Sequence, residues 1–377
     1  MSFNQHMRSC SESSELAEFE MQKNELNFLI IAFIYVGTIM GAGFASGREI
    51  WQFFGVFGKF GYMGIGFVTV MFMIVGFMTS RIARLLNTTD IGKIVAPSNN
   101  RFFISFIGWL MGVELLLALI YMSAAGGALF HQQFGLSSFA GGALVVTFVA
   151  ISVMGGLDRV SKVFRFIVPI LMTIVIVTCL WVIFGSGFEV STETVYEPSP
   201  LAGSWPFAAI IFLAFNSLSV VPIIASAATR AKSGKHAYSG SIIGGLLLGA
   251  LALLLLGTMM TDMDFSGSKE MPMLAFSERL SPVINLLYSI ILFFAIYSCA
   301  TSNFYGFTLK VIRGSHRNLK IIASAGISFV LGLMGFTTIV EYVLPIDGYF
   351  GIVIVLMLIA NYIKTELQHR RVRCENV

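Results

Sequence analysis

The chain has 377 residues, of which 56% are hydrophobic and only 12% carry a charge, with a formal net charge of +4. That is too little polar surface to solvate a soluble fold of this size, so the composition points to an integral membrane protein. The small positive charge is accounted for by topology, as set out below, and calls for no nucleic-acid partner.

The first 26 residues form a polar tail rich in glutamate (Glu12, Glu15, Glu18, Glu20, Glu25), unlike the basic start of a signal peptide, and no cleavage is expected. Ten apolar stretches follow, centred near residues 40, 70, 116, 146, 175, 216, 250, 296, 329 and 354. Each approaches the roughly 20 residues that a spanning helix needs. They predict an all-α transmembrane domain over about 27–363, followed by a C-terminal tail over 364–377.

The first stretch contains Gly41-Ala42-Gly43-Phe44-Ala45-Ser46-Gly47 near its middle. Glycine weakens a helix by roughly 1 kcal/mol relative to alanine. Unpaired amides in hydrocarbon are tolerated only where they line a polar cavity. A spanning helix broken at mid-depth therefore implies a substrate or ion site, whereas small residues used only for close helix packing would leave the helix whole.

Lys and Arg are retained on the cytoplasmic side of a membrane. All but four of the 24 (Arg48, Lys59, Lys269 and Arg279) fall in the two tails and in alternate connections. The opposite connections are acidic, with Glu189, Glu193 and Glu197 in one and Asp262, Asp264, Glu270 and Glu278 in another. Both termini are expected in the cytoplasm. Cys10 and Cys374 lie in tails and Cys179 and Cys299 within spans, so no pair is placed for an extracellular disulfide. No metal-ligand cluster is visible, and the five histidines (His6, His131, His236, His316, His369) fall in tails or connections. With no nucleophile and base pair either, no enzyme is implied.

Ten spans divide into five plus five, and an odd number in each half turns the second half over in the membrane. An inverted repeat then predicts that span six is interrupted like span one. Span six contains Ala214-Phe215-Asn216-Ser217-Leu218-Ser219 and then Pro222, which removes a backbone donor, while Asn and Ser offer competing local bonds. The expected architecture is thus a 5+5 inverted repeat, over about 27–186 and 204–363, with helices 1 and 6 broken.

Gly37-Thr38-Ile39-Met40-Gly41-Ala42-Gly43-Phe44-Ala45-Ser46-Gly47-Arg48-Glu49, followed by Trp51-Gln52-Phe53-Phe54, resembles the YkvI-type permeases, a bacterial membrane family, and the similarity extends over all ten spans but not the N-tail. More distantly, the Gly-Ala-Gly-Phe segment resembles the first-helix break of permeases in the amino acid/polyamine/organocation superfamily, whose fold is the inverted repeat of leucine-transporter type. This resemblance implies a secondary transporter of the bacterial inner membrane, with spans one, two, six and seven rocking against three, four, eight and nine.

Site residues follow from both lines. Gly41, Ala42, Gly43 and Phe44 would present backbone amides to a substrate carboxylate, and carbonyls near Phe215, Asn216 and Ser217 would receive an ammonium group, so a small amino acid or related zwitterion fits. In sodium-coupled relatives of this fold an ion lies between spans one and eight. The matching positions are the carbonyls of Gly37, Met40 and Ser298 with the hydroxyls of Thr301 and Ser302. Sodium is the one ion expected, with no other cofactor, and proton coupling is the alternative. Glu114, mid-span and costly to bury, is the candidate proton carrier. Tyr121 shares its helix face and could bond the substrate carboxylate, as a third-helix tyrosine does in some relatives. An Arg48–Asp347 pair would resemble the outer gate of that fold. The expected partners are a small-molecule substrate, a coupling ion and the lipid bilayer. A proton-coupled permease or exchanger of another solute, or a non-transporting ligand receptor on the same fold, remains open.

Overall fold

The computed structural model describes residues 26–97, 100–155, 161–186, 196–312 and 316–375, so the N-tail expectation lies outside the described residues. The described chain is almost wholly helical. Among the described residues, seven helices are long and apolar enough to cross a membrane: Lys59–Leu86, Ile104–Phe134, Ser138–Gly155, Trp205–Thr229, Gly234–Met260, Pro282–Thr308 and Phe336–Arg371. They occupy the places of spans two, three, four, six, seven, eight and ten. The shorter apolar helices Phe28–Ile39 and Pro169–Gly185 serve spans one and five, and Arg317–Gly332 serves span nine. The last helix continues to Glu375, through most of the segment expected as the C-terminal tail.

The spans pack in two sets. Span seven lies along spans two and one, and span six along span two; span three lies along spans eight and four, with span nine against three and four. These are the same two groups, one and two with six and seven and three and four with eight and nine, that are expected from the sequence. Span ten bridges them from the span-six side. Small residues permit the tightest crossings. A Cβ on Gly351 of span ten would overlap the Ala214 carbonyl of span six, and one on Gly245 would come within 2.8 Å of the Met73 backbone nitrogen of span two. Without hydrophobic driving force between helices in lipid, such approaches supply the contacts that hold a bundle together. Gly351→Leu is expected to cost about 1–3 kcal/mol by overpacking, read as a lowered unfolding temperature in detergent; an unchanged temperature would mean that spans six and ten separate freely there.

Span one is interrupted, as expected. The helix Phe28–Ile39 ends at Met40, Gly41 is extended, Ala42–Ala45 forms a single turn, and Gly47 (φ 81°) turns the chain into Arg48–Phe53. That left-handed conformation suits glycine alone without strain. Span six differs from expectation: it is one continuous helix from Trp205 to Thr229 with Pro222 inside. The polar residues do not unwind it because Asn216 Nδ2 donates to the Phe212 carbonyl and Ser217 Oγ to the Leu213 carbonyl, one turn earlier on the same helix. Pro222 removes a single ladder bond, which a well-packed membrane helix absorbs.

Two polar seams hold the ends. On the basic side, Arg81 of span two donates through Nε and Nη2 to both oxygens of Glu366 of span ten, and through Nη1 to Tyr238 of span seven. On the acidic side, the connection between spans seven and eight forms two short helices, Met263–Ser268 and Pro272–Leu280. Arg279 pairs with Asp262 at 2.9 Å and lies over the Phe265 ring. Tyr196 stacks edge-on against Trp51 and donates to Asp264, and burial with that carboxylate pushes its hydroxyl up to about 12.

Candidate functional site

The interruption in span one is held by other elements. Tyr288 of span eight donates to the Ala45 carbonyl, Ser46 Oγ donates to the Gly43 carbonyl, and the Met273 amide of the acidic-side connection donates to the Ser46 carbonyl. Ala45 N–H makes the first bond of the short helical turn, to Gly41, so the amides of Ala42, Gly43 and Phe44 lie ahead of it. Backbone groups freed by the break are thus partly satisfied on its outer side, where the chain is fixed against span eight.

Beside the break lies a cavity of about 80 Å³. One water needs roughly 10–15 Å³ on the same measure, so there is room for several waters or a small solute. Its walls come from spans one, three, six, eight and ten: Thr38, Ile39 and Gly41; Glu114 and Tyr121; Phe215, Asn216 and Ser219; Cys299 and Asn303; and Val343 and Asp347, with Glu49 from beyond the break. Convergence of five spans on one largely apolar hollow with a few polar groups is the usual form of a small-molecule site between helices. Span ten begins with Phe336, whose ring stacks on Tyr121 at 5.4 Å, and then widens into a π-helical turn over Ile339–Val343. Such turns are frequent at functional sites because they redirect the side chains that follow; here they are Leu344 and Asp347.

The polar chemistry of the hollow is acidic. Glu49, Glu114 and Asp347 are 4%, 7% and 7% exposed. Tyr121 donates to Glu49 Oε1 at 2.6 Å, and Ser219 of span six donates to Glu114 Oε1 at 3.1 Å. The second oxygen of each glutamate, Oε2, is buried and without a hydrogen-bond partner. Asp347 lies within electrostatic reach of Glu114. Leaving carboxyl oxygens unpaired in a membrane core is costly, which makes these residues the candidates for a site that a ligand, ion or proton would complete.

Among the sequence-predicted residues, Gly41, Glu114, Tyr121, Phe215, Asn216 and Asp347 are brought together on this cavity. Ala42 and Gly43 are buried beside it, and a Cβ on Gly43 would overlap the Tyr121 hydroxyl and the Glu49 carboxylate. Phe44 and Ser217 are fully buried away from it. The predicted gate is not formed: Arg48, also buried, donates to the Lys269 carbonyl and lies near Glu270 and Glu341, whereas Asp347 faces the cavity. The two are separated because Gly47 turns the helix carrying Arg48 toward the connection between spans seven and eight.

The predicted ion positions are dispersed differently. Thr301 is fully buried with its hydroxyl unpartnered, Ser302 is exposed, and Met40 is buried while Gly37 and Ser298 are half-buried. Span eight instead turns Cys299 and Asn303, one helical turn apart, onto the cavity. Thr301, two residues past Cys299, sits about 200° around the helix and so faces elsewhere. Sequence reasoning passed over Glu49, Ser219, Cys299 and Asn303 as site residues. Glu49 carried a usable signal, since an ionisable residue directly after a membrane-helix break is functional by default; Ser219 and Asn303 carried none beyond their polarity.

Comparisons with known proteins bear on the fold and family. The sodium:alanine symporter family matches residues 101–193. Over 88% of its length the chain is 26% identical to the uncharacterized membrane protein YkvI of Bacillus subtilis, covering 95% of that protein, and it is 22% identical to the uncharacterized protein YyaD of the same organism over 86% of its length and 94% of YyaD. Among solved structures, the inward-facing conformation of Mhp1 superposes with a TM-score of 0.62 at 12% identity, covering 88% of this chain and 76% of Mhp1. MhsT in complex with L-phenylalanine superposes with a TM-score of 0.55 at 16% identity, covering 91% and 98%. A manganese transporter of Eremococcus coleocola superposes at 0.51 with 14% identity, covering 89% and 75%. The matched family and folds are those of transporters rather than enzymes. The chain is therefore an all-α integral membrane protein with the fold seen in Mhp1 and MhsT, similar to YkvI over most of both chains.

Proposed function

We propose that this protein is a secondary active transporter of the bacterial cytoplasmic membrane, with both termini in the cytoplasm, that carries a small amino acid or related zwitterion by alternating access. The observation that carries the reading is the interrupted first span opening onto a cavity lined by three carboxyl groups where the two sets of spans meet. A site placed there is exposed to one side or the other as the sets rock. The Mhp1 and MhsT likeness supports the fold, and the sodium:alanine family match over spans three to five supports an amino acid and sodium.

Coupling to sodium is supported by Thr301, whose buried hydroxyl lacks a partner and so has an oxygen to give a hard cation. An ion held against span one would favour the substrate-competent form of the break, and by linkage the substrate would favour the ion equally. Thr301→Ala is expected to weaken sodium stimulation of uptake by about tenfold, while Ser302→Ala, at an exposed position, leaves it near normal. Unchanged sodium dependence in Thr301→Ala would move the ion elsewhere. The free Glu114 oxygen and the nearby Asp347 favour proton coupling as the second reading.

The test is uptake of a mixed labelled amino acid pool into proteoliposomes under an inward sodium gradient, an inward proton gradient, or neither. Accumulation with sodium alone supports sodium symport, and with protons alone the second reading. Binding without accumulation under any gradient would leave a receptor on a transporter fold.

A further inference from the structure

The cavity is unusual in what it offers a ligand. Its side chains present acceptors and almost no free donors. Glu49 Oε2 and Glu114 Oε2 are buried and unpartnered, and Asp347 adds a third carboxyl group. Asn216 and Asn303 direct their amide nitrogens to the Phe212 and Cys299 carbonyls of their own helices, which leaves their oxygens as acceptors. The hydroxyls that could donate are already committed: Tyr121 to Glu49, Ser219 to Glu114, and Thr38 to the Ile34 carbonyl. Neither Lys, Arg nor His lines the cavity among the described residues.

An ammonium group is the complement of such a lining, having three donors and no acceptor. The acidic groups also fall into two places. Glu49 is bound by Tyr121, which lies seven residues, or about 10 Å, along span three from Glu114, whereas Glu114 and Asp347 line the cavity from spans three and ten. On span three Leu117 and Ala118 separate Glu114 from Tyr121, and Val343 and Leu344 of span ten add to the aliphatic wall.

We propose that the cavity selects a diamino compound, in which two ammonium groups are joined by a short aliphatic chain, with one group held at Glu49 and the other between Glu114 and Asp347. The proposal deepens the transport reading above and rests on it for this cavity being the substrate site. A diamine and a basic amino acid share the recognised chemistry. The carboxylate of the latter would find only backbone amides at the break, and so contributes less to selection than the second amino group.

Four probes separate the possibilities in purified full-length protein in lipid nanodiscs with sodium chloride, followed by ligand-induced shifts in unfolding temperature: lysine, norleucine (the same chain without the terminal amino group), 1,5-diaminopentane and alanine. Lysine and 1,5-diaminopentane are expected to stabilise the protein at concentrations at least about tenfold lower than norleucine or alanine. Glu114→Gln and Asp347→Asn should each bring the lysine response toward that of norleucine, with the unfolding temperature of the unliganded variants reporting their folding. If norleucine or alanine acts at concentrations equal to or lower than lysine, the diamino proposal is overturned while amino acid transport stands. Stabilisation by none of the four up to millimolar concentrations also overturns it. If lysine binds but no gradient drives its uptake into proteoliposomes, the site inference holds and the transport reading fails.

Discussion

Gly43→Ala is expected to lower uptake by roughly 100-fold, the scale of loss that follows when binding groups are displaced by about an ångström. The reason is local and steric. A methyl group at position 43 would overlap both the Tyr121 hydroxyl and the Glu49 carboxylate, which are joined by a 2.6 Å hydrogen bond over the glycine. Accommodating it requires that the bond break or that spans one and three separate. Overpacking of this kind costs about 1–3 kcal/mol, which a protein of this size survives, so the variant should still reach the membrane and unfold cooperatively. Uptake is measured in proteoliposomes against the amount of protein inserted. Normal uptake would show that Gly43 serves packing alone and that the break is not part of the site.

Glu114→Gln is the second variant with a large effect. Glutamine keeps the size of the side chain and can still accept the bond from Ser219, but it cannot ionise. Loss of an interaction with a charged group is worth about 1.5–3 kcal/mol, so uptake should fall about 10- to 100-fold at saturating gradients. The dependence of uptake on pH should also flatten, because the buried carboxyl whose Oε2 has no partner is removed. The informative measurement is the pH profile rather than the rate at one pH. A lower rate with an unaltered profile would make Glu114 a positioning residue and move any proton coupling to Asp347 or Glu49, both on the same cavity.

The break in span one was legible because it depends on backbone chemistry: glycines at 41, 43 and 47 weaken a helix wherever they fall, and Gly47 does adopt the left-handed conformation that only glycine takes without strain. The matching expectation for span six misjudged how far polar residues disrupt a membrane helix. Asn216 and Ser217 have carbonyls of their own helix within reach and use them, so the same composition that signals a break also permits repair. Glu114 was identifiable as a candidate from burial cost alone, and it lines the cavity. The place of Asp347 on the cavity was not legible, since its position near the end of an apolar stretch suggested a gate, whereas the π-helical turn before it brings the carboxylate onto the cavity.

Hydropathy, charge and the placement of glycine by themselves determined the membrane setting, the ten-span architecture and the interrupted first span, because each follows from the solvation or backbone freedom of a single segment and needs no partner. Only the tertiary structure decided which side chains share the cavity: span eight turns Cys299 and Asn303 inward rather than Ser302, and span one turns Glu49 inward and Arg48 toward the connection between spans seven and eight. The physical reason is rotational. Helix positions are known from sequence, but the angle at which each helix faces its neighbours is set by close packing at glycine crossings and by hydrogen bonds between distant spans, and an error of one residue swings a side chain by about 100°.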